Sequence, residues 1–118
     1  MRGWPSNVLI RGRNWTLSDE RAVTQRDGAF GITMVEDQSV ILDNRPLNKQ
    51  QFLETLVHEF IHVMYSTTPL PLVLGDTEQE KADNEELIVE SLAPALLSFI
   101  VDNPELVTKI QEEWDKSK

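Results

Sequence analysis

Residues 51–66 read QFLETLVHEFIHVMYS, and this stretch decides the fold. Its apolar residues recur every three or four positions, which is the period of an amphipathic helix. They are Leu53, Leu56, Val57, Phe60, Ile61 and Met64. The opposite face is polar and carries Gln51, Thr55, His58 and His62. We therefore predict a helix whose back packs in the core and whose polar face borders a cleft.

The residues on either side of this stretch set the limits of the helix. Asn48 and Gln51 have the spacing of a capping box, and Pro46 stands just before them. Thr67, Thr68 and Pro69 follow Ser66 and break the helical pattern. The helix is accordingly expected to run from about residue 48 to residue 66.

The rest of the chain predicts an α+β fold within a single domain, residues 1–118. Four segments rich in β-forming residues precede the helix, at 7–11, 15–17, 29–35 and 38–43, with a turn at Glu36-Asp37 between the last two. We expect them to form a small antiparallel sheet. After a loop at 67–75, a capping box at Thr77 and Glu80 starts a second long helix, which Pro94 should kink or split. A short last helix starts at Asn103-Pro104 and ends near Trp114.

Composition excludes several classes of protein. The chain has no Cys, which rules out disulfides, thiolate metal sites and cysteine nucleophiles. No apolar run approaches the roughly 20 residues that span a bilayer. These features favour a cytoplasmic, monomeric protein without a membrane partner.

Charge is unevenly distributed along the chain, and the net charge is −9. Residues 76–118 carry four Lys against twelve acids, a sum of −8, whereas residues 1–26 carry five Arg against two acids, a sum of +3. An acidic protein repels nucleic acid, so no nucleic-acid partner is expected. The alternative is a basic patch formed by Arg11, Arg13, Arg21 and Arg26 that binds nucleic acid.

Chemistry is concentrated in His58-Glu59-Phe60-Ile61-His62, which fits the pattern H-E-x-x-H. Histidines at i and i+4 lie one turn apart on one helix face, so both imidazoles can reach one Zn²⁺ at about 2.0–2.1 Å. Glu59 can then stand over the metal's water as a general base. The motif predicts one Zn²⁺ per chain, held by His58 and His62.

A third ligand must be a carboxylate, because the chain has only these two His. The following helix offers Glu85, Glu86 and Glu90. Glu86 and Glu90 have no Lys or Arg at helical reach, so they repel unless a cation or a His N–H lies between them. We predict Glu86 as the metal ligand and Glu90 as the partner of the second nitrogen of His58. Glu85 remains the alternative ligand, although an ion pair with Lys81 would account for it.

The segment Thr55–His62, followed by Glu86-x-x-x-Glu90, resembles the gluzincin metallopeptidases. The resemblance covers residues 29–97 and is nearest to the minimal single-domain members and to short phage-encoded H-E-x-x-H proteins. It implies a zincin-like fold, in which a sheet packs on an active-site helix and a glutamate helix. It also implies a zinc-dependent endopeptidase that hydrolyses a peptide or protein substrate, with the substrate pairing along an edge strand at Ala29–Val35.

In the mechanism that follows, zinc lowers the pKa of its water, and Glu59 takes a proton from that water and passes it to the leaving nitrogen. A second group should stabilise the oxyanion, and Tyr65 and Arg45 are the candidates. Leu70-Pro71-Leu72 would rim a specificity pocket or cover the core, and Trp114 would anchor the last helix or fold over the cleft. No Tyr or His follows Tyr65, unlike in the family. A catalytically weak zinc-binding regulatory or interaction module, including a phage-encoded one, is therefore the alternative.

Overall fold

The computed structural model describes residues 3–20, 30–43 and 49–118. Within these ranges the chain forms a four-stranded sheet followed by four helices, which confirms the α+β class. The strands are β1 (Asn7–Ile10), β2 (Arg13–Asp19), β3 (Gly31–Met34) and β4 (Ser39–Leu42). The helices are α1 (Lys49–Ser66), α2 (Leu70–Val73), α3 (Glu78–Asp102) and α4 (Pro104–Lys116).

The sheet is mixed rather than antiparallel, in the order β1-β2-β4-β3. Strands β1 and β2 pair antiparallel, as do β3 and β4. At the centre, however, β2 pairs with β4 in parallel, with Thr16 opposite Ser39 and Asp19 opposite Leu42. The predicted antiparallel sheet is wrong at this point, because β4 lies beside β2 and leaves β3 at the outer edge.

Two turns set the lengths of the strands. Arg11 and Gly12 both have positive φ, 48° and 82°, in a two-residue hairpin loop of the kind that favours glycine. Strand β2 therefore begins at Arg13, earlier than the predicted 15–17 segment. The turn predicted at Glu36-Asp37 is confirmed, and it closes with a 3.2 Å bond from Gln38 N to Val35 O. Ala29, at the start of the predicted third strand, lies outside the described residues.

Helix α1 lies between the sheet and α3 and contributes to two buried clusters. On the sheet side Val63 packs with Trp15 and Leu17 of β2 and with Val40 and Leu42 of β4. On the other side Ile61 packs with Val89 and Ala93 of α3. Because both faces of α1 are fixed by packing, the polar stripe between them is held at the open border of the sheet and α3.

The remaining helices agree with the prediction at the start of α3 and differ from it in three later respects. Thr77 caps α3, with its hydroxyl accepting a 3.1 Å bond from Glu80 N. Helix α3 continues through Pro94 without being split. Asn103 stands at the start of α4, but its side chain donates back to Phe99 O at 2.9 Å instead of capping. The predicted 67–75 loop contains the single turn α2, and the expected start of α1 at Pro46 and Asn48 lies outside the described residues.

Among the described residues, no single helix is long and apolar enough to cross a membrane. Helices α3 and α4 meet that requirement only when taken together, and they are bent by 87° at their junction.

Candidate metal centre and its cavity

One turn of α1 brings His58 and His62 together at the border with α3. Their ring centroids are 5.0 Å apart, with the rings edge to face. Glu86 approaches from α3, and its Oε1 lies 2.8 Å from Nε2 of His62 and 3.9 Å from Nε2 of His58. The structure thus brings together the two histidines of the motif and the glutamate that the sequence favoured as third ligand.

These three side chains have the chemistry and the spacing of a zinc site. One ligand atom from each lies within 4.8 Å of the other two. Tetrahedral ligands at about 2.0–2.1 Å from zinc lie roughly 3.3–3.5 Å from one another, and the two His–Glu distances, 2.8 and 3.9 Å, bracket that value. Two imidazoles and one carboxylate also form a donor set typical of catalytic zinc, with a fourth position left for water. The side chains therefore fit the metal that the sequence predicts.

Glu85 contacts the other nitrogen of His62. Its Oε2 lies 2.6 Å from Nδ1 of His62, whose side chain is only 16% exposed. When Nε2 of His62 binds a metal, the ring proton lies on Nδ1, and Glu85 is placed to accept a hydrogen bond from it and orient the ring. Glu85 is therefore placed to orient a ligand rather than to act as one.

This arrangement corrects two expectations about the acidic helix. Glu90 lines the cavity but has no hydrogen bond to His58, so the predicted carboxylate–histidine pair forms instead between Glu85 and His62. Lys81 pairs with Glu78 at 3.5 Å and not with Glu85. The reason is the rotation of α3 against α1, which turns Glu85 inward to the imidazole and away from Lys81.

Glu59 is buried on α1 beside the two histidines, with 6% of its surface exposed. Thr33 of β3 donates its hydroxyl to Glu59 Oε1 at 2.8 Å and lies 3.1 Å from the Glu59 carbonyl oxygen. Burial raises the pKa of the Glu59 carboxyl, while the Thr33 bond and the two histidines oppose that rise. A carboxylate with a raised pKa accepts a proton more readily, which suits the predicted general base.

Thr33 and Gly31 are residues of the site that sequence reasoning missed as such. A Cβ at Gly31 would lie 2.9 Å from Cγ of Glu59 and 3.0 Å from Cγ2 of Thr55, so only glycine lets β3 approach α1 this closely. The signal in the sequence was weak, because Thr33 is 26 residues from Glu59 and nothing local indicates their contact.

A cavity of about 680 Å³ opens over these groups. Its floor includes His58, Glu59 and His62, with Glu85, Glu86 and Glu90 on the α3 side, and its other wall is formed by β3 and its flanks. The remaining lining residues are Phe30, Gly31, Ile32, Thr33, Val35, Glu54, Thr55, Ala93 and Pro94. The open cleft predicted beside the polar face of α1 is therefore present.

The wall formed by β3 has backbone groups that no other described strand pairs with. Asp43 N donates to Phe30 O at 2.8 Å, so Phe30 is one of the residues that bond directly to β4. Backbone groups of successive residues in an antiparallel strand point to alternate sides. The N–H and C=O groups of Gly31 and Thr33 consequently face away from β4, at the outer edge of the sheet.

The other sequence candidates lie elsewhere. The Tyr65 hydroxyl is buried without a hydrogen-bond partner among the described residues, and Tyr65 does not line the cavity, so its predicted oxyanion role is wrong in this structure. Burial, and to a lesser extent the charge of Glu85, raise the pKa of Tyr65. Trp114 is 63% exposed and, like Leu70-Pro71-Leu72, is absent from the cavity wall. Arg45 lies outside the described residues.

The basic N-terminal residues are only partly described. Arg11 and Arg13 are exposed at the β1–β2 hairpin, whereas Arg21 and Arg26 lie outside the described residues.

Comparison with protein-family models, with curated protein sequences and with solved structures gives no match to this chain.

Proposed function

We propose that this chain is a small zinc-dependent endopeptidase. The observation that carries the proposal is the convergence of His58, His62 and Glu86 on one point, in a cavity that also contains the buried Glu59. A cytoplasmic location is part of the same proposal, since the chain has no Cys.

Zinc, when bound, would supply Lewis acidity and acidify a water molecule at the open coordination position. His58, His62 and Glu86 would hold it, and Glu85 fixes the tautomer of His62 in which Nε2 is free to bind. Glu59 accepts a proton from the attacking water and delivers it to the leaving amine nitrogen. Thr33 keeps the Glu59 carboxylate oriented during this transfer through its 2.8 Å hydrogen bond.

An extended peptide would lie along β3. The outward N–H and C=O groups of Gly31 and Thr33 can each bond to a substrate backbone, as in the addition of a strand to a sheet edge. On the α1 side of this strand, Thr33 donates a hydrogen bond to Glu59, and Gly31 leaves room for the Glu59 side chain. The strand that would bind the peptide therefore also positions the base.

The proposal is tested with Glu59→Gln, which removes the base but no metal ligand. We expect the wild-type protein to cleave unfolded casein or a mixed peptide library, measured by mass spectrometry, and a zinc chelator to stop the cleavage. Glu59→Gln should lower the rate by about 10²–10⁴-fold while keeping the same zinc content. Glu112→Gln, at an exposed position on α4, is the charge-matched control and should cleave like the wild type. Full activity in Glu59→Gln would contradict the proposal.

One observation favours a second candidate, a zinc-holding regulatory or binding module. The described residues that line the cavity include no Tyr, Arg or Lys to stabilise an oxyanion beside the metal. This candidate predicts stoichiometric zinc in a protein that cleaves nothing in the same substrate panel.

A further inference from the structure

Helix α4 presents an apolar stripe that the rest of the described chain leaves uncovered. Leu106, Val107, Ile110 and Trp114 share one helix face and are 38–63% exposed. At the end of α3, Phe99 and Ile100 are 47% and 41% exposed. These six residues are called the C-terminal apolar surface below. None of them lines the metal cavity, so the surface is separate from the candidate site.

The helix that carries this surface needs a packing partner. A helix of 13 residues is marginal in water on its own. Among the described residues only α3 packs appreciably against α4, and no residue of α4 is buried. The strong segregation of apolar from charged residues on α4 nevertheless indicates a helix built to lie against another surface.

We propose that this surface is the interface of a homodimer, in which α4 and the end of α3 pack against the same elements of a second copy. Together the six side chains expose on the order of 500–600 Å² of apolar surface. This is the upper limit for the largest apolar patch on a typical monomer. Homodimer interfaces are about 65% apolar, so this area corresponds to roughly 800–900 Å² per copy. Stable interfaces bury about 800 Å² per partner, which the surface reaches.

The charges around the stripe also fit a second copy. Both signs stand along one border of it, where Lys109 and Lys116 pair with Glu113 of the same helix at 2.8 and 3.4 Å, so this border is not net negative. A two-fold axis brings the same patch against itself, so apolar residues meet at the centre and the Lys–Glu pairs of the two copies lie at the rim. An anionic membrane is a poorer occupant, because membrane-binding helices carry a basic polar face and α4 is net negative. This proposal departs from the monomer expected from the sequence.

The test is the mass of the full chain in solution, measured by sedimentation velocity from about 1 to 100 µM. We expect the wild-type protein to approach twice the 13.5 kDa chain mass within this range. Ile110→Glu places a charge at the centre of the stripe and should weaken dimerisation at least about 100-fold. Thr108→Glu adds the same charge on the opposite face of α4 and should leave the mass unchanged.

Each other outcome overturns the proposal. A wild-type chain that stays monomeric at 100 µM has no such interface. A dimer that survives both Ile110→Glu and Trp114→Glu, with far-ultraviolet circular dichroism like the wild type, is held by another surface. If Ile110→Glu unfolds, Trp114→Glu alone decides between these results. Monomers that instead sediment with phosphatidylcholine–phosphatidylglycerol vesicles would assign the surface to a membrane. Zinc content is measured in parallel, and it should be equal in all variants.

Discussion

Glu85 and Glu86 are neighbours in the chain, yet they contact opposite nitrogens of the same imidazole. Glu86 lies 2.8 Å from Nε2 of His62, on the side shared with His58, and Glu85 lies 2.6 Å from Nδ1. The two carboxylates therefore have different consequences for metal binding, although a helical wheel cannot distinguish them. In the proposed zinc site one would supply a ligand atom, and the other would orient a ligand.

We expect Glu85→Gln to raise the Kd for zinc about 10–100-fold, because the lost carboxylate no longer fixes the tautomer of His62. Glu86→Gln should raise it at least about tenfold more, since it removes a ligand atom. The measurement is a competition titration with a chromophoric chelator. Glu90→Gln is the control, because Glu90 lines the cavity without a hydrogen bond in the described part of the chain, and its Kd should stay within about twofold of wild type. Equal losses in Glu85→Gln and Glu86→Gln would contradict the division of roles.

Tyr65 shows what burial costs a polar group. Its ring is 4% exposed, and its hydroxyl is buried without a partner in the described structure. Removing such a hydroxyl removes a desolvation cost, so Tyr65→Phe should leave the free energy of unfolding unchanged or raise it by about 1 kcal/mol. Urea denaturation at pH 7 measures this. A loss above about 2 kcal/mol would reveal a hydrogen bond that the structure does not contain.

The pH dependence of stability provides a second test of the same residue. Burial raises the pKa of Tyr65 above its usual value near 10, so the fold favours the neutral phenol. The resulting stability is fully present below the unfolded pKa and is lost as pH rises through the folded pKa. Between about pH 9.5 and 11.5 the wild type should therefore lose more stability than Tyr65→Phe. Parallel losses in the two proteins would show that Tyr65 does not titrate with unfolding.

Strand β3 is the element that connects the sheet to the site. It pairs only with β4 among the described strands. On its inner side Thr33 donates a hydrogen bond to Glu59, and Gly31 leaves room for the Glu59 side chain. In the proposed function, substrate binding and positioning of the base would thus both depend on this strand, Gly31–Met34.

Gly31→Ala tests this close approach. The new Cβ would lie 2.9 Å from Cγ of Glu59 and 3.0 Å from Cγ2 of Thr55, so β3 or these α1 side chains must shift. We expect thermal or urea denaturation to show a loss of about 1–3 kcal/mol, and cleavage to fall with it. Met34→Ala, at a half-exposed position of the same strand, should cost less. A Gly31→Ala variant as stable and active as the wild type would mean that β3 and α1 are not in close contact at Gly31.

At the scale of elements, the sequence predicted what periodicity and local chemistry control. The 3.6-residue pattern predicted α1 through its observed end at Ser66, and the Thr77 capping box marked the start of α3. The parallel pairing of β2 with β4 could not be read in this way, because strand order depends on contacts between distant segments. The exchange of roles between Glu85 and Glu90 has a similar cause, since the rotation of α3 about its axis is set by its packing on α1.

The whole molecule is organised around α1, which is buried on one side by the sheet and on the other by α3. Zinc ligands from α1 and α3 would add a cross-link between these two layers. Without a cation, Glu59, Glu85 and Glu86 repel one another across the same cavity, and Glu86 contributes to the raised pKa of Glu59. Metal binding is therefore expected to stabilise the fold as a unit.

Removal of the metal should accordingly lower the Tm. At a free zinc concentration 100 times the Kd, binding adds about 2.7 kcal/mol to the free energy of unfolding. For a domain of this size that corresponds to roughly 10 °C between the zinc-loaded and the chelator-treated protein, measured by differential scanning calorimetry. Glu86→Gln should lose most of this difference. A Tm that does not respond to zinc or chelator would show that metal binding does not stabilise the fold.

The most direct test of the central claim is zinc per chain, measured by elemental analysis on protein purified without added metal or chelator. We expect close to one zinc per wild-type chain and far less than one in Glu86→Gln. A wild-type protein that contains no zinc and takes up none on titration would contradict it, and would leave the convergence of His58, His62 and Glu86 without a metal to bind.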